Sequence, residues 1–229
     1  MAVASPISPG LFEFLDDLAR NNNRDWFAAN KERYERDLRE PVLDLIGQLE
    51  APLRRSAPML QVIAKRSGGS LMRIHRDTRF SKDKTPYKTN VGISLRHQAD
   101  KDIHAPGAYI HLAYDECFVA AGSWRPQRET LAAIRHAIDQ DPKAWRKARD
   151  QRKFRSSFEI AGESLKTSPR DYDKNHPEII DLRRIDFIAV SPLARDDFLQ
   201  PDIVKRIVGL IRDAKPWMRF LCDAIDVPY

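Results

Sequence analysis

The sequence predicts an α+β fold: a central, mainly antiparallel sheet of about five strands, flanked by N-terminal and C-terminal helices. Three observations lead there. Apolar residues recur at helical spacing in the first 50 or so residues. From about residue 58 they alternate at a spacing of two, as on a strand with one buried face. Helical spacing returns beyond Pro126. Helices, then strands, then helices is the order of an α+β domain, and no linker or internal repeat interrupts it, so residues 1–229 read as one domain.

Each element has its own signal. Ser8-Pro9 reads as an N-cap followed by proline in the first turn. Leu11, Phe14, Leu15 and Leu18 then form a helical stripe. Asn21-Asn22-Asn23 ends it, since asparagine caps well and tolerates turn backbone. A second helix starts near Arg24 with Phe27, Tyr34, Leu38, Val42, Leu45 and Leu49 on one face, and Pro41 predicts a kink or break inside it. Strands are predicted at Leu71–Arg76, at Val91, Ile93 and Leu95, at Tyr109–Tyr114, and at Cys117–Ala121. Asp115-Glu116 between the last two reads as a tight hairpin turn. Leu131, Ile134 and Ile138 mark a helix, and a shorter one at Ala144–Arg149 follows Asp141-Pro142. Residues 165–179 form a polar loop with two prolines, and Ile185–Val190 is the fifth strand. A closing amphipathic helix runs from about Asp202, divided near Pro216.

Composition narrows the class. With 42% hydrophobic and 31% charged residues, the chain of 229 residues is an ordinary globular one, large enough for a sizeable core. It lacks a continuous apolar run of about 18 residues, so no membrane partner is expected. The start, MAVASPISPG, carries neither the basic nor the apolar region of a secretory signal. Cys117 and Cys222 lie far apart outside any CxxC or Cys/His spacing, which predicts a reduced, cytoplasmic protein without a structural zinc. No metal is predicted, in the absence of HExxH, HxH or clustered carboxylates, and no cofactor, in the absence of GxGxxG and a P-loop. GxSxG is also missing, so an ordinary hydrolase reading lacks support, and no catalytic residue is assigned.

The net charge of +6 is concentrated. Residues 65–101 hold ten Lys/Arg against three acids, a surplus of seven, so the rest of the chain nets −1. The centre of that segment is RIHRDTRFSKDKTPYK, residues 73–88. Arg73, Arg76, Arg79, Lys82, Lys84 and Lys88 crowd there against only Asp77 and Asp83. Phe80 and Tyr87 are expected to pack back and hold the connecting loop, which presents several cations near one point. Arginine forks suit phosphate and carboxylate, and lysine adds a point charge. The same residues also read as a structural network, with Asp77, Asp83 or acids elsewhere neutralising the cations.

Four stretches carry a family resemblance: NNNRDWFAANKERYE (21–35), RIHRDTRFSKDKTPYKTNVG (73–92), GSWRP (122–126) and LKTSPRDYDKNHPE (165–178). Together they resemble the DUF2461 family of bacterial and fungal proteins, through nearly the whole chain. The resemblance implies a single-domain protein of that family and supplies no reaction. Where the family reads PRGYD, this chain reads Pro169-Arg170-Asp171-Tyr172-Asp173.

Further candidates complete the predicted ligand site. Trp124 sits at a strand-to-helix junction, a common border of binding sites. Lys166 and His176 lie in the polar loop, where His176 either caps the following helix or faces a ligand beside Lys166 and Arg170. Tyr87 holds the basic loop. His75 and His176 are the histidines considered for proton transfer. Trp26 reads as core, and His111, on a strand beside Tyr109, as a structural histidine. Three partner classes follow: a small anionic or phosphorylated ligand in a cationic pocket, nucleic acid with Phe80, Tyr87 or Trp124 stacking on bases, or an acidic protein. The compactness of the motif favours the small ligand over an extended groove.

Overall fold

The computed structural model describes residues 4–99 and 106–229. The chain opens with α1 (Pro9–Arg20), whose buried face is Leu11, Phe12, Phe14, Leu15 and Leu18. Asn23 then starts α2 (Arg24–Ala29), its side chain accepting the Trp26 N–H at 2.9 Å. A third helical turn, α3 (Lys31–Arg33), runs into a π-helical stretch, Tyr34–Arg39, and on into α4 (Glu40–Ser56). The irregularity expected at Pro41 is therefore a π segment just ahead of it. Proline cannot donate the ordinary helical bond, and widening the preceding turn absorbs the defect.

Five strands form one antiparallel sheet in the order β1-β2-β3-β5-β4: β1 (Asn90–Leu95), β2 (Gly107–Ala113), β3 (Cys117–Ser123), β4 (Glu159–Ala161) and β5 (Phe187–Leu193). Between β3 and β4 come α5 (Arg128–Gln140), α6 (Pro142–Arg149) and α7 (Arg152–Ser157). A short α8 (Ile179–Leu182) precedes β5, and α9 (Ile203–Asp213) and α10 (Lys215–Ala224) close the chain, with Pro216 in the first turn of α10. No helix among the described residues is long and apolar enough to cross a membrane.

Register decides which residues share a face. Val91, Leu112, Cys117 and Leu193 lie in one row across the sheet, and Ile93, Ile110, Val119 and Ser191 in the next. These residues are buried. Helices α1, α9 and α10 contact β2 and β3. The core beneath that face has two adjoining parts. One joins α1, α4 and α9 to β1 and β2; the other surrounds Trp145 and Trp217, whose rings lie 5.2 Å apart. Trp26 packs at the margin of the first, 5.7 Å from Phe14.

The opposite face carries a different set. Gly92, His111, Phe118 and Pro192 form one row, and Ser94, Tyr109, Ala120 and Val190 the next. His111, Phe118, Ser94, Tyr109 and Val190 are only partly buried.

Two predicted elements differ from the observed ones, and one observed strand was not predicted. Leu71–Arg76 is not a ladder strand. It touches β1 through the Leu71–Ile93 bridge and through Met72 N–H to Gly92 O at 2.9 Å. It then turns away, because Arg76 N–H bonds Pro86 O and Lys88 N–H bonds Ile74 O, closing the basic loop on itself. Ile74 consequently enters the core while Met72 lines the opposite side of the sheet. The fifth predicted strand starts later, at Phe187, and continues through Pro192. Proline is tolerated there because β4 pairs only with residues 188–190, which leaves Pro192 without a neighbour on that side. The three-residue β4 is too short to show in the sequence pattern.

Candidate functional site

The open face of the sheet is concave and holds a groove of about 460 Å³. Its floor comes from Tyr109, His111, Phe118 and Val190, and its rim includes Met72, Lys88, Arg96 and Trp124. Two glycines shape it. At Gly92 a Cβ would stand 2.6 Å from the Tyr109 hydroxyl oxygen and 3.1 Å from Met72 Sδ, so the missing side chain lets Tyr109 lie across β1. Gly122 has φ +131°, a region open to glycine, and a Cβ there would collide with the Phe187 carbonyl.

Gly122 begins the GSWRP turn that carries Trp124 to the rim. Asp186, 2% exposed, secures the turn by accepting the Arg125 N–H at 2.7 Å and the Glu163 N–H at 2.8 Å. Arg125 takes a left-handed φ of +48°, unusual for a residue with a side chain, and its guanidinium lies 5.0 Å from the Trp124 ring. Trp124 is 51% exposed.

On the floor, His111 stacks on Phe118 with ring centroids 4.7 Å apart and planes 1° from parallel. The Tyr109 hydroxyl is 3.3 Å from His111 Nδ1, and Asn90 Nδ2 is 3.5 Å from the same atom. Burial lowers the His111 pKa, against weaker opposing pulls from Glu116 and Asp115. Burial therefore favours the neutral ring. Burial raises the Tyr109 pKa, partly offset by a hydrogen bond with Asn90. The sequence reading took His111 as a structural histidine and did not foresee its contacts with Phe118 and Asn90. Its one sequence signal was that Tyr109 and His111 share a strand face.

The basic segment divides in two. Its outer loop is internally paired: Arg76 bonds Asp83 and, at 2.8 Å, the Thr85 hydroxyl. Arg79 bonds Asp77 in a two-pronged contact at 2.6 and 3.0 Å. The Arg79 bonds hold the Asp77 carboxyl well below its ordinary range, and the Asp83 carboxyl is lowered chiefly by the Thr85 N–H and hydroxyl, then by Arg76. Lys84 donates to Thr78 O at 2.8 Å, while Lys82 and Phe80 are exposed, Phe80 at 96%. The base of the loop is anchored by Tyr87, which stacks on Phe27 at 4.1 Å. The Asn22 side chain clamps it further, donating to Tyr87 O and accepting Tyr87 N–H.

Lys88 differs from the outer cations. It lies at the base of the loop, partly buried, and lines the groove. Burial lowers its pKa first, and the neighbouring Arg73 charge lowers it further. Among the described residues no carboxylate makes an ion pair with Lys88 or Arg73.

Lys166 and His176 lie elsewhere. His176 Nε2 faces Asp139 at 3.4 Å on α5, and its Nδ1 accepts the Glu178 N–H at 3.0 Å. Lys166 is exposed beside Leu165, whose N–H bonds Arg183 O. The PRDYD turn closes through Tyr172 N–H to Pro169 O at 3.1 Å, and Asp171 needs no left-handed backbone. Under this loop, Asp181 and Glu178 form a buried ionic knot with Arg149 at 2.7 and 2.8 Å, which Trp145 Nε1 joins at 2.7 Å. Of the sequence-predicted site residues, the structure brings Lys88 and Trp124 to the groove, while Tyr87 packs in the core and Arg73 is exposed, its charge felt at Lys88. Arg76, Arg79, Lys82 and Lys84 stand on the outer loop, with Lys166 and His176 on another surface.

Among the described residues no group of three or more His, Cys, Asp and Glu is placed to hold a metal ion. Comparison with curated proteins and with solved structures returns no match. The family described as Conserved hypothetical protein (DUF2461) matches residues 10–220, nearly the whole chain. The RDxRFSKDKxPYK segment, the GSWRP turn and the open-faced sheet thus belong to a member of the DUF2461 family.

Proposed function

We propose that this protein binds a small organic anion on the open face of its sheet. The apolar body of the ligand rests against Phe118, Val190 and Trp124, and its carboxylate or phosphate meets Lys88 and Arg73. The observation that carries this reading is Lys88: an ammonium partly withdrawn from water, beside a like charge and without a carboxylate partner. Such an arrangement costs free energy in the unliganded protein, and an incoming anion relieves it. The outer-loop cations, already engaged with Asp77 and Asp83, contribute field more than contact.

The test is calorimetric titration with 3-phenylpropanoate and with phenyl phosphate. At least one should bind, and Lys88→Met should weaken it by roughly 10- to 100-fold, the worth of one charge-assisted hydrogen bond of about 1.5–3 kcal/mol. Absence of binding to both probes, or equal affinity in the variant, refutes the proposal.

A second reading, single-stranded nucleic acid laid on the sheet, is favoured by Tyr109, His111 and Phe118 on adjacent strands beside a basic rim. It ranks lower because His111 and Phe118 already cover one another's ring faces. It predicts oligonucleotide binding that weakens steeply with salt.

A further inference from the structure

We propose a second binding surface, on the helical layer that covers the other face of the sheet. There the phosphate backbone of a single-stranded nucleic acid lies in a groove between two helix pairs. This surface shares no residue with the groove on the open face.

Helix α6 rests against α10 and α7 against α9, and a groove of about 560 Å³ runs between the pairs. Lys147 and Lys153 stand on one bank, and Arg212, Lys215 and Arg219 on the other. Asp213 and Asp223 are the acids that line it, so five cations less two acids leave +3. Among the described residues none of the five cations makes an ion pair or a side-chain hydrogen bond. Asp213 instead accepts the Ser157 hydroxyl at 3.3 Å. On the outer loop, by contrast, Arg76 and Arg79 already have carboxylate partners. More positive charge adjoins the groove: residues 143–155 hold seven Lys/Arg against Asp150 alone. Arg146 and Arg149 of that run pair with acids, while Lys143, Arg152 and Arg155 are exposed and without an ion pair among the described residues. Acids elsewhere cancel this surplus in the whole-chain sum.

Helix ends do not account for these cations. A helix favours negative charge in its first turn and positive charge in its last. Lys147 and Arg212 fit that rule, in the last turns of α6 and α9. Lys153 and Lys215 break it: they lie in first turns, and neither α7 nor α10 has an acid there. Unpaired cations kept around one groove, two of them where the helix disfavours them, suit an anion that the chain itself does not supply.

Phosphates fit the surface better than an acidic protein does. A strong protein interface has an apolar centre. None of the large exposed hydrophobic residues, Phe80, Tyr114, Trp124, Leu165 and Ile180, lines this groove. Phe220, partly buried, offers one ring on which a base can rest. The cations are spread over four helices, as contacts to successive phosphates require, whereas the 73–88 motif crowds its own at one loop.

The full-length protein is titrated with a fluorescein-labelled, mixed-sequence single-stranded oligonucleotide, followed by anisotropy across a salt series. Affinity should fall linearly on a log–log plot against salt, with a slope of about 2–3.5, the value for roughly three to five phosphate contacts at about 0.7 each. The triple variant Lys153→Ala, Lys215→Ala, Arg219→Ala removes cations that hold no helix end. It should lower the slope by about 2 and weaken binding by roughly tenfold or more at low salt, with Tm unchanged. Lys153→Ala alone, at an exposed position, should lower the slope by about 0.7. An unaltered slope in these variants, or absence of binding at low salt, overturns the proposal. So does loss of binding in Lys88→Met with full retention in the triple variant, which places the strand on the open face of the sheet. Polyglutamate that binds as tightly as the oligonucleotide at matched charge assigns the surface to an acidic protein and overturns the phosphate reading.

Discussion

Asp186→Ala tests the device that positions the groove's rim. The carboxylate is 2% exposed and accepts two backbone N–H groups, from Arg125 at 2.7 Å and Glu163 at 2.8 Å. A hydrogen bond to a charged partner contributes about 1.5–3 kcal/mol, so two together stand near 3–6 kcal/mol. Water entering the space vacated by the side chain recovers part of that, which leaves a loss of about 3–5 kcal/mol. The left-handed backbone of Arg125, worth of order 1–3 kcal/mol in strain, also loses its restraint and relaxes. For a chain of this size each kcal/mol lowers Tm by about 2–4 °C, so the expected fall is roughly 6–20 °C. Asp186→Asn keeps one acceptor and should lose about half as much. Thermal unfolding followed by circular dichroism reads the stability, and a shift in Trp124 fluorescence reports the turn. A fall in Tm under about 2 °C, or identical values for the two variants, refutes the clamp.

Other outcomes follow from the same geometry. Gly92→Ala should cost about 1–3 kcal/mol by overpacking and displace Tyr109, weakening ligand binding; a crystal structure with Tyr109 unmoved would count against the close approach. Arg79→Ala, which breaks an exposed pair with Asp77, should leave Tm unchanged; a clear drop in urea midpoint would show that the outer loop supports the fold. His111 has a folded pKa below its ordinary value, so its contribution is present above about pH 6.5 and is lost as pH falls through that value toward the folded pKa. Urea midpoints measured against pH should decline over that range and decline less in His111→Gln; parallel curves would rule out this origin.

Much of the fold was legible because its signals are local. Periodicity placed α1, the long second helix, β1 to β3 and the divided C-terminal helix. The proline and asparagine punctuation placed their ends. Shorter or shared elements were not legible: β4 has only three residues, and the backbone of Leu71–Arg76 divides its hydrogen bonds between β1 and its own loop. The candidate site was half legible. Charge density pointed to residues 73–88, and Trp124 stood out at its junction. The pairing of Arg76 with Asp83 and Arg79 with Asp77 was foreseen only as one of several possibilities.

By itself the sequence determined the α+β class, the family and the place of the positive excess, because composition and spacing travel with the chain. Tertiary structure decided which of those cations lines the groove on the open face of the sheet. Strand register sets Tyr109, His111 and Phe118 in adjacent rows, Gly92 lets Tyr109 lie across β1, and Asp186 fixes the turn that bears Trp124. Gly92 and Tyr109, and Asp186 and Arg125, come from stretches far apart in the chain, so no local pattern records those contacts. The two acids within the basic segment were visible from the start, but that they neutralise the outer arginines and leave Lys88 beside Arg73 is a matter of distance and burial, which only the folded chain supplies.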